Sequence, residues 1–452
     1  MKKRLLAYVA CLVGCGLPAM SQAPRLSYHD SQFVLRHQLN PAFQPDSDYM
    51  AVNASFAVTS SLSMQDLLYE RPNGSLTTFM GNHTVTKAEL LDKVGGGMNN
   101  LGDIQVGLFS MGRRKDADRY QHLSVNFRAN EMMRVERGLF DCLKDVSNGQ
   151  YDLSGTRLSL LSWLEAAVGE SRRLNSRWTV GARGKLLLGL YQTNLNIDRL
   201  LVDLEGDNWT AAGKMNALVS GMHYKTATED YQAREGSFEK VKGASLSYPM
   251  LRGAGLAFDV GATYQLNPHW QLSASVLDAG FLMWFNSHHA ENGDETFAFD
   301  GFHDASLAAE SETSIDKQIH ILEDGFADLT RLTPDDYHAS AQLLRLTGHL
   351  AASCRYGDWH GGVLLTTRVQ GNASWLESRV SVGWSPVTFL SFTLSPAYST
   401  YGRFSVGAMA TYNHPRGYQA YLGSDCFFWK MNKQLIPLSL NGALQLGLVL
   451  PF

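Results

Sequence analysis

The sequence ends on Leu444-Gln445-Leu446-Gly447-Leu448-Val449-Leu450-Pro451-Phe452. Successive side chains of a β-strand point to opposite faces, so four leucines and a phenylalanine share one face of this segment. The other face is small or polar apart from one valine. A strand of about 9–11 residues with an apolar outer face is the unit of a transmembrane β-barrel. A strand of a soluble β-sandwich alternates in the same way, so the remaining sequence has to separate the two.

Length and composition are compatible with one large barrel. The chain has 452 residues, which is also enough for two or three soluble domains. Charged residues make up 18%, below the usual quarter, while the 41 glycines favour a membrane barrel mildly. After the N-terminal leader no segment has about 18 consecutive apolar residues, so a membrane-embedded form would have to cross as strands. The net charge of −4 argues against nucleic acid as a partner.

The N-terminus has the pattern of an export signal. Three basic residues follow Met1 and precede the apolar run Leu5 to Val13, which predicts a signal peptide over residues 1–21 with cleavage near residues 21–23. The sequence Leu12-Val13-Gly14-Cys15 resembles a bacterial lipobox, in which Cys15 would be lipidated, and we favour ordinary cleavage. The cysteines that remain are odd in number and widely scattered, which predicts neither a disulfide framework nor a zinc site. They are Cys142, Cys354 and Cys426.

Alternation of apolar and polar residues recurs along most of the chain. It begins at Tyr49–Thr59, after an irregular segment over residues 22–48 that contains three prolines. Counting the segments gives about sixteen strands, two of them assigned near Ala211–Lys225 and Ser237–Tyr248. Residues 286–337 do not alternate and form a predicted large loop, in which apolar residues spaced by three and four positions predict a helix. Short connections follow even-numbered strands and long ones follow odd-numbered strands, as in an outer-membrane barrel.

One predicted hairpin carries charges on its polar face. Turning near Asn175, it places Glu165 opposite Lys185, with Arg183 two residues away. Such charges are costly in lipid but tolerable in a wet lumen, so they fit a barrel interior. The exposed face of an ordinary sheet explains the pair equally well. The first and last strands are expected to pair with each other, because a closed barrel leaves no free edge.

Several motifs resemble known outer-membrane barrels. Asn40-Pro41-Ala42 looks like an element of the long-chain fatty acid transporter superfamily, although an Asn-Pro pair is also an ordinary turn. Residues 178–185 resemble a hairpin arm of type IX secretion barrels. Residues 253–264 and 278–284 resemble an uncharacterised family of Bacteroidota barrels with the same architecture.

This resemblance implies a closed antiparallel β-barrel of about 14 strands, within a range of 12–16, and we adopt that number over our own count. Short helices are expected in its loops. The barrel would span residues 49–452, and residues 22–48 would be a periplasmic or lumen-plugging segment. Phe452 resembles the C-terminal aromatic signal read by the barrel-assembly machinery. No ligand-binding residue is carried over from the resemblance.

The sequence predicts no catalytic, cofactor or metal site. It lacks a G-x-S-x-G elbow, an H-E-x-x-H motif, a P-loop and a dinucleotide fingerprint, and we predict that the chain is not an enzyme. His288, His289 and His303 lie in a polar loop and do not make a metal site. Two hypotheses remain for an outer-membrane protein in contact with lipid. One is transport of a hydrophobic or amphipathic small molecule, and the other is an interaction barrel for secretion or surface assembly with a protein partner.

Overall fold

The computed structural model describes most of the chain. The described residues are 25–62, 67–70, 76–79, 82, 84–144, 149–206, 208–247, 251–300, 314–369, 374–401, 403–426 and 441–451. The predicted signal peptide with Cys15, together with His303 and Phe452, lies outside them. The helices described are α1 Lys87–Val94, α2 Arg137–Lys144 and α3 Ile315–Thr330, and short 3-10 turns occupy Arg25–Ser27 and Val34–Gln38. None of these helices is long and apolar enough to cross a membrane.

Strands make up most of the described chain. In order they are β1 Tyr49–Ser60, β2 Leu68–Glu70, β3 Leu76–Thr78, β4 Gly97–Arg114, β5 Arg119–Glu136, β6 Gln150–Asp152, β7 Arg157–Arg173, β8 Trp178–Asp203, β9 Trp209–Ser220, β10 Met222–Asp230, β11 Ser237–Leu246, β12 Gly253–Gln265, β13 Trp270–Glu291, β14 Glu295–Phe299, β15 Thr333–Leu343, β16 Leu346–Tyr356, β17 Trp359–Val369, β18 Trp375–Val387, β19 Leu390–Ser399, β20 Arg403–Asn413, β21 Gln419–Ser424 and β22 Gly442–Pro451.

Fourteen strand positions form a closed antiparallel barrel, as predicted. β1 pairs with β4 on one side and with β22 on the other, so the expected pairing of first and last strands is confirmed. Three positions consist of two segments placed end to end, namely β9 with β12, β13 with β14, and β15 with β16. The hairpin β10–β11 is inserted between β9 and β12 and forms its own two-stranded sheet.

The strand positions correct several details of the sequence analysis. Our count of sixteen is two too high, because the strand assigned over 237–248 is β11, which stands outside the ring with β10, and because β9 and β12 share one strand position. The segment assigned over 211–225 is broken at Gly221, whose φ is 73°. The predicted loop 286–337 is shorter, since β13 continues to Glu291 and β15 begins at Thr333. The register between β7 and β8 differs by two residues from the predicted one, so Lys185 lies opposite Ala167 rather than Glu165. The side chains of Glu165 and Lys185 both point inward, as predicted.

The outer wall is apolar and the inner wall is polar. On β22 the four leucines are 40–46% exposed, whereas Gln445 is fully buried on the inward face. Short turns over 115–118, 174–177, 266–269, 357–358, 388–389 and 414–418 mark one end of the barrel, which we call the short-turn end. A band of exposed aromatic side chains follows this end from β8 to the start of β21, comprising Trp178, Trp270, Tyr356, Trp359, Trp384, Tyr412 and Tyr418. Amphipathic rings in this position match the girdle of a membrane barrel.

Loop elements pack against each other at the opposite end, the loop end. α1 begins with a capping box, in which the Thr86 hydroxyl accepts from the Glu89 N–H and the Glu89 carboxylate accepts from the Thr86 N–H. Residues of α1 and α2 share an apolar cluster with Met133 and Val135 of β5. On α3, Asp324 accepts hydrogen bonds from two backbone N–H groups at the tip of the hairpin β10–β11.

Candidate functional site: the barrel lumen

Residues 25–48, which we call the inner segment, lie inside the ring of strands. Nearly all side chains from Arg25 to Phe43 are buried. The segment makes hydrogen bonds to strands all around the barrel. They include Tyr28 Oη to Ser273 Oγ at 3.1 Å, His29 Nδ1 to Ser353 Oγ at 2.7 Å, Tyr49 Oη to His37 Nε2 at 2.9 Å, and Gln419 Nε2 to the Gln32 carbonyl at 2.8 Å. These contacts place the segment across the lumen at the short-turn end.

Two inward-facing glycines give the inner segment its space. A methyl group on Gly181 of β8 would overlap the Pro41 carbonyl, and one on Gly261 of β12 would overlap the Asn40 side chain. Asn40 is fully buried there, and its Nδ2 donates to the backbone carbonyl oxygens of Ala262 at 3.4 Å and Ala274 at 3.2 Å. The Asn40-Pro41-Ala42 element thus lies in direct contact with the wall.

His29 and His37 of the inner segment are buried, and no carboxylate of the described residues is close enough to stabilise their charged form. Burial, together with a smaller effect of the neighbouring His360 on His29 and of Arg183 on His37, lowers the pKa of both histidines to about 3. The His37 ring lies 4.9 Å from the ring of His122 on β5. Both side chains are therefore neutral at pH 7, and protonation would oppose their burial.

Six charged side chains form a buried network above the inner segment. Asp278 accepts hydrogen bonds from Arg128 at 2.8 and 3.0 Å and from Lys185 at 2.5 Å. Lys185 also lies 2.8 Å from Asp259, which is paired with Arg183. Glu165 completes the set, 3.0 Å from Arg128. Three positive and three negative groups balance, as buried charges require.

A bulge in β13 brings Asp278 into this network. Between the pairs Phe258–Ala279 and Val260–Val276, β13 carries one more residue than β12, and Asp278 has a φ of 60°. A bulge re-aims the side chain of the extra residue, and here the Asp278 N–H also donates to Asp259 Oδ1 at 2.8 Å. A left-handed backbone at a residue other than glycine persists only where its surroundings hold it, and the contacts of Asp278 with Arg128, Lys185 and Asp259 provide that restraint.

A second group of charges connects the inner segment to the far wall. Arg25 binds Asp425 at 3.2 Å and Glu377 at 3.2 Å, and Arg379 of β18 lies against the same two carboxylates. The Arg25 guanidinium also lies 5.2 Å from the centre of the Trp375 ring. Ion pairs thus hold the start of the inner segment in place, in addition to the hydrogen bonds that the segment makes nearer the short turns.

An apolar layer follows beyond the charges. Along β8 the inward residues are Gly181 against the inner segment, then Arg183 and Lys185 in the network, then Leu187. β13 repeats the order, from Ser275, which donates to the Leu39 carbonyl, through Asp278 to Leu282 and Trp284. The buried members of this layer are Leu161, Trp163, Leu187, Ala257, Leu282, Trp284 and Leu344. From the short turns towards the loops, the lumen therefore passes from inner segment to charges to apolar side chains.

The sequence identified part of this site. Glu165, Arg183 and Lys185 were predicted on a polar face, and the structure brings all three into the network. Sequence reasoning missed Arg128 and Asp278, whose spacing along the chain gives no sign that they meet. His288 lies on β13, where its ring stacks on Tyr337 at 4.4 Å.

Comparison with known proteins gives a family. Residues 41–425 match a family model described as a family of unknown function, DUF5723. The chain belongs to that family. No curated protein sequence matches this member of DUF5723.

Solved structures give distant likenesses over most of the chain. A FadL homologue from Pseudomonas aeruginosa has 11% identity and a TM-score of 0.45, covering 96% of this chain and 99% of that one. The toluene transporter TodX from Pseudomonas putida has 10% identity and a TM-score of 0.40, with 91% of each chain covered. The translocator domain of the autotransporter NalP from Neisseria meningitidis has 5% identity and a TM-score of 0.33, with 90% of each covered.

Proposed function

We propose that this DUF5723 protein is an outer-membrane channel for a hydrophobic or amphipathic small molecule, closed at rest by its inner segment. The observation that carries the proposal is that the ring of strands closes without residues 25–48. Moving the inner segment therefore breaks no strand pair of the barrel. The apolar outer wall and the aromatic band support placement in a membrane, with the short turns on the periplasmic side.

The apolar layer supports the substrate class. Trp163 and Trp284 of this layer are buried, and the indole Nε1 of each lacks an acceptor among the described residues. A buried N–H without a partner is costly, so an oxygen atom of a bound molecule would satisfy it. A molecule with an apolar body and an oxygen-bearing end fits such a layer better than a sugar or an inorganic ion does.

Replacing one glycine tests the closure without changing a charge or the inner segment itself. Gly181→Leu would push against Pro41 and displace the inner segment, whereas the outward Gly184→Ala meets no atom within 4 Å and serves as control. We expect Gly181→Leu to conduct ions in planar bilayers and to admit a fluorescent fatty-acid-like probe into proteoliposomes. Wild type and Gly184→Ala should stay closed to ions. Ion conductance without probe entry would refute the proposed substrate class.

A second function, an interaction barrel, is favoured by one observation at the loop end. The hairpin β10–β11 and α3 hold each other through Asp324 and Asp328, and α3 exposes Ile319 and Ile321. Such a unit is suited to contact another protein. Crosslinking from α3 to one specific protein, together with a Gly181→Leu variant that does not conduct, would favour this function over transport.

A further inference from the structure

The outer wall carries a groove that the proposed channel does not use. It crosses β4, β5, β7, β8 and β12 towards the short-turn end and has a volume of about 790 Å³. Its larger apolar side chains are Met111, Leu123, Val168, Phe258 and Val260. Between Val168 and Phe258 the outward face of β8 bears only Ala182 and Gly184, and a methyl group on Gly184 would meet no atom within 4 Å. The polar side chains Gln121 and Glu170 also line the groove, on its side towards the short turns. Small side chains therefore leave an apolar depression on a surface that is otherwise convex.

Arginines border the groove where it meets the short turns. Arg113 lines it from β4, and Arg172 follows two residues after Glu170 on the outward face of β7. Both are exposed, and neither has a hydrogen-bond or ion-pair partner among the described residues. Nearby charges are already engaged, since Arg119 binds Asp116 at 2.6 Å and Glu170 accepts from Gln121 at 2.6 Å.

Basic residues are concentrated in this part of the rim. The turns 115–118 and 174–177, with the two residues on either side of each, hold seven basic residues and two acidic ones, namely Arg113, Arg114, Lys115, Arg119, Arg172, Arg173 and Arg177 against Asp116 and Asp118. In contrast, the other four short turns, counted in the same way, hold two basic residues, Arg355 and Arg416. The groove therefore opens onto the most positive section of the short-turn end.

We propose that this groove binds one anionic phospholipid of the inner leaflet, with acyl chains against Phe258 and Val168 and the phosphate between Arg113 and Arg172. Charge complementarity selects the occupant, because a basic rim at the interface attracts anionic lipid and guanidinium groups suit phosphate oxygens. An acyl chain is stabilised by burial in an apolar groove, whereas a water-soluble ligand is more stable in water. The inference rests on the membrane placement proposed above, but it is independent of transport.

Native mass spectrometry of the full chain in detergent tests the site. With phosphatidylglycerol added, we expect one retained lipid, and weaker retention of phosphatidylethanolamine at the same concentration. Arg113→Gln with Arg172→Gln should weaken phosphatidylglycerol binding about 25-fold, at about five-fold for each arginine. Arg416→Gln, on the turn between β20 and β21 and outside the groove, is the matched control and should bind like wild type.

A second pair of variants tests the groove itself. Ala182→Leu would fill the depression and should reduce retention of both lipids, whereas Ala410→Leu on the outward face of β20 should not. Equal retention by wild type and the double arginine variant would overturn the proposal, as would equal retention of the two lipids. The measured quantity is bound lipid and not conductance, so a failure to bind lipid would leave the channel proposal intact. Conversely, a barrel that binds lipid but never conducts would support the lipid site and refute the channel.

Discussion

Asp278→Asn removes one negative charge from the centre of the lumen while keeping the shape of the side chain. Asparagine also tolerates the left-handed backbone at this position, where φ is 60°. The substitution leaves Arg128, Arg183 and Lys185 facing only two carboxylates. Removing one partner of a buried ion pair costs about 3–5 kcal/mol, and we expect the free energy of unfolding to fall by about that amount.

The assay is urea unfolding of the barrel in phospholipid vesicles, followed by tryptophan fluorescence. Asp294→Asn is a matched control, because Asp294 has a φ of 63° and is also paired with an arginine, Arg199, but in a pair that is about two-fifths exposed. Its loss should stay below about 1 kcal/mol. Adding Lys185→Met to Asp278→Asn rebalances the charges and should recover part of the loss. Equal losses for Asp278→Asn and Asp294→Asn would refute the reasoning.

Three further predictions concern the inner segment and the loops. When the inner segment is released, His29 and His37 would have their ordinary pKa of about 6.5, whereas in the closed state their pKa is about 3. The free energy of closure should therefore fall by about 2 kcal/mol per histidine at pH 5 and stay unchanged above pH 7. Single-channel recordings across this range should show more openings in acid, and an open probability that does not change with pH would contradict the role of the two histidines. Asn40→Ala should weaken closure by about 1–3 kcal/mol, measured as increased open probability at pH 7.5. Thr86→Ala should speed hydrogen exchange in α1 through a loss of about 1 kcal/mol without lowering the barrel's melting temperature.

The alternation of side chains was sufficient to predict the wall. On β22 and on the hairpin β7–β8 the predicted faces are those of the structure, because a strand with one face in an apolar environment has to repeat every two residues. The number of strands was harder to predict, because the hairpin β10–β11 alternates like a barrel strand but has no neighbour in the ring. Alternation reports a face and not a pairing partner.

The candidate site was only partly predictable. Glu165 and Lys185 were recognisable because charges interrupt apolar strands, but their turn register was misplaced by two residues. Asp278 could not be identified, since its inward direction depends on a bulge that the spacing of apolar residues does not reveal. The inner segment lacks any periodicity, and its contacts depend on glycines more than 100 residues away along the chain. Long-range contacts of this kind leave no local pattern.

Conductance of the barrel without its inner segment tests the central claim most directly. A chain lacking residues 25–48 keeps every strand pair of the ring, so it should still fold and insert into a planar bilayer. We predict that wild type is almost closed at pH 7.5 and that the shortened chain conducts ions steadily. A folded, inserted barrel that lacks residues 25–48 and remains as closed as wild type would contradict the claim that this segment closes the lumen.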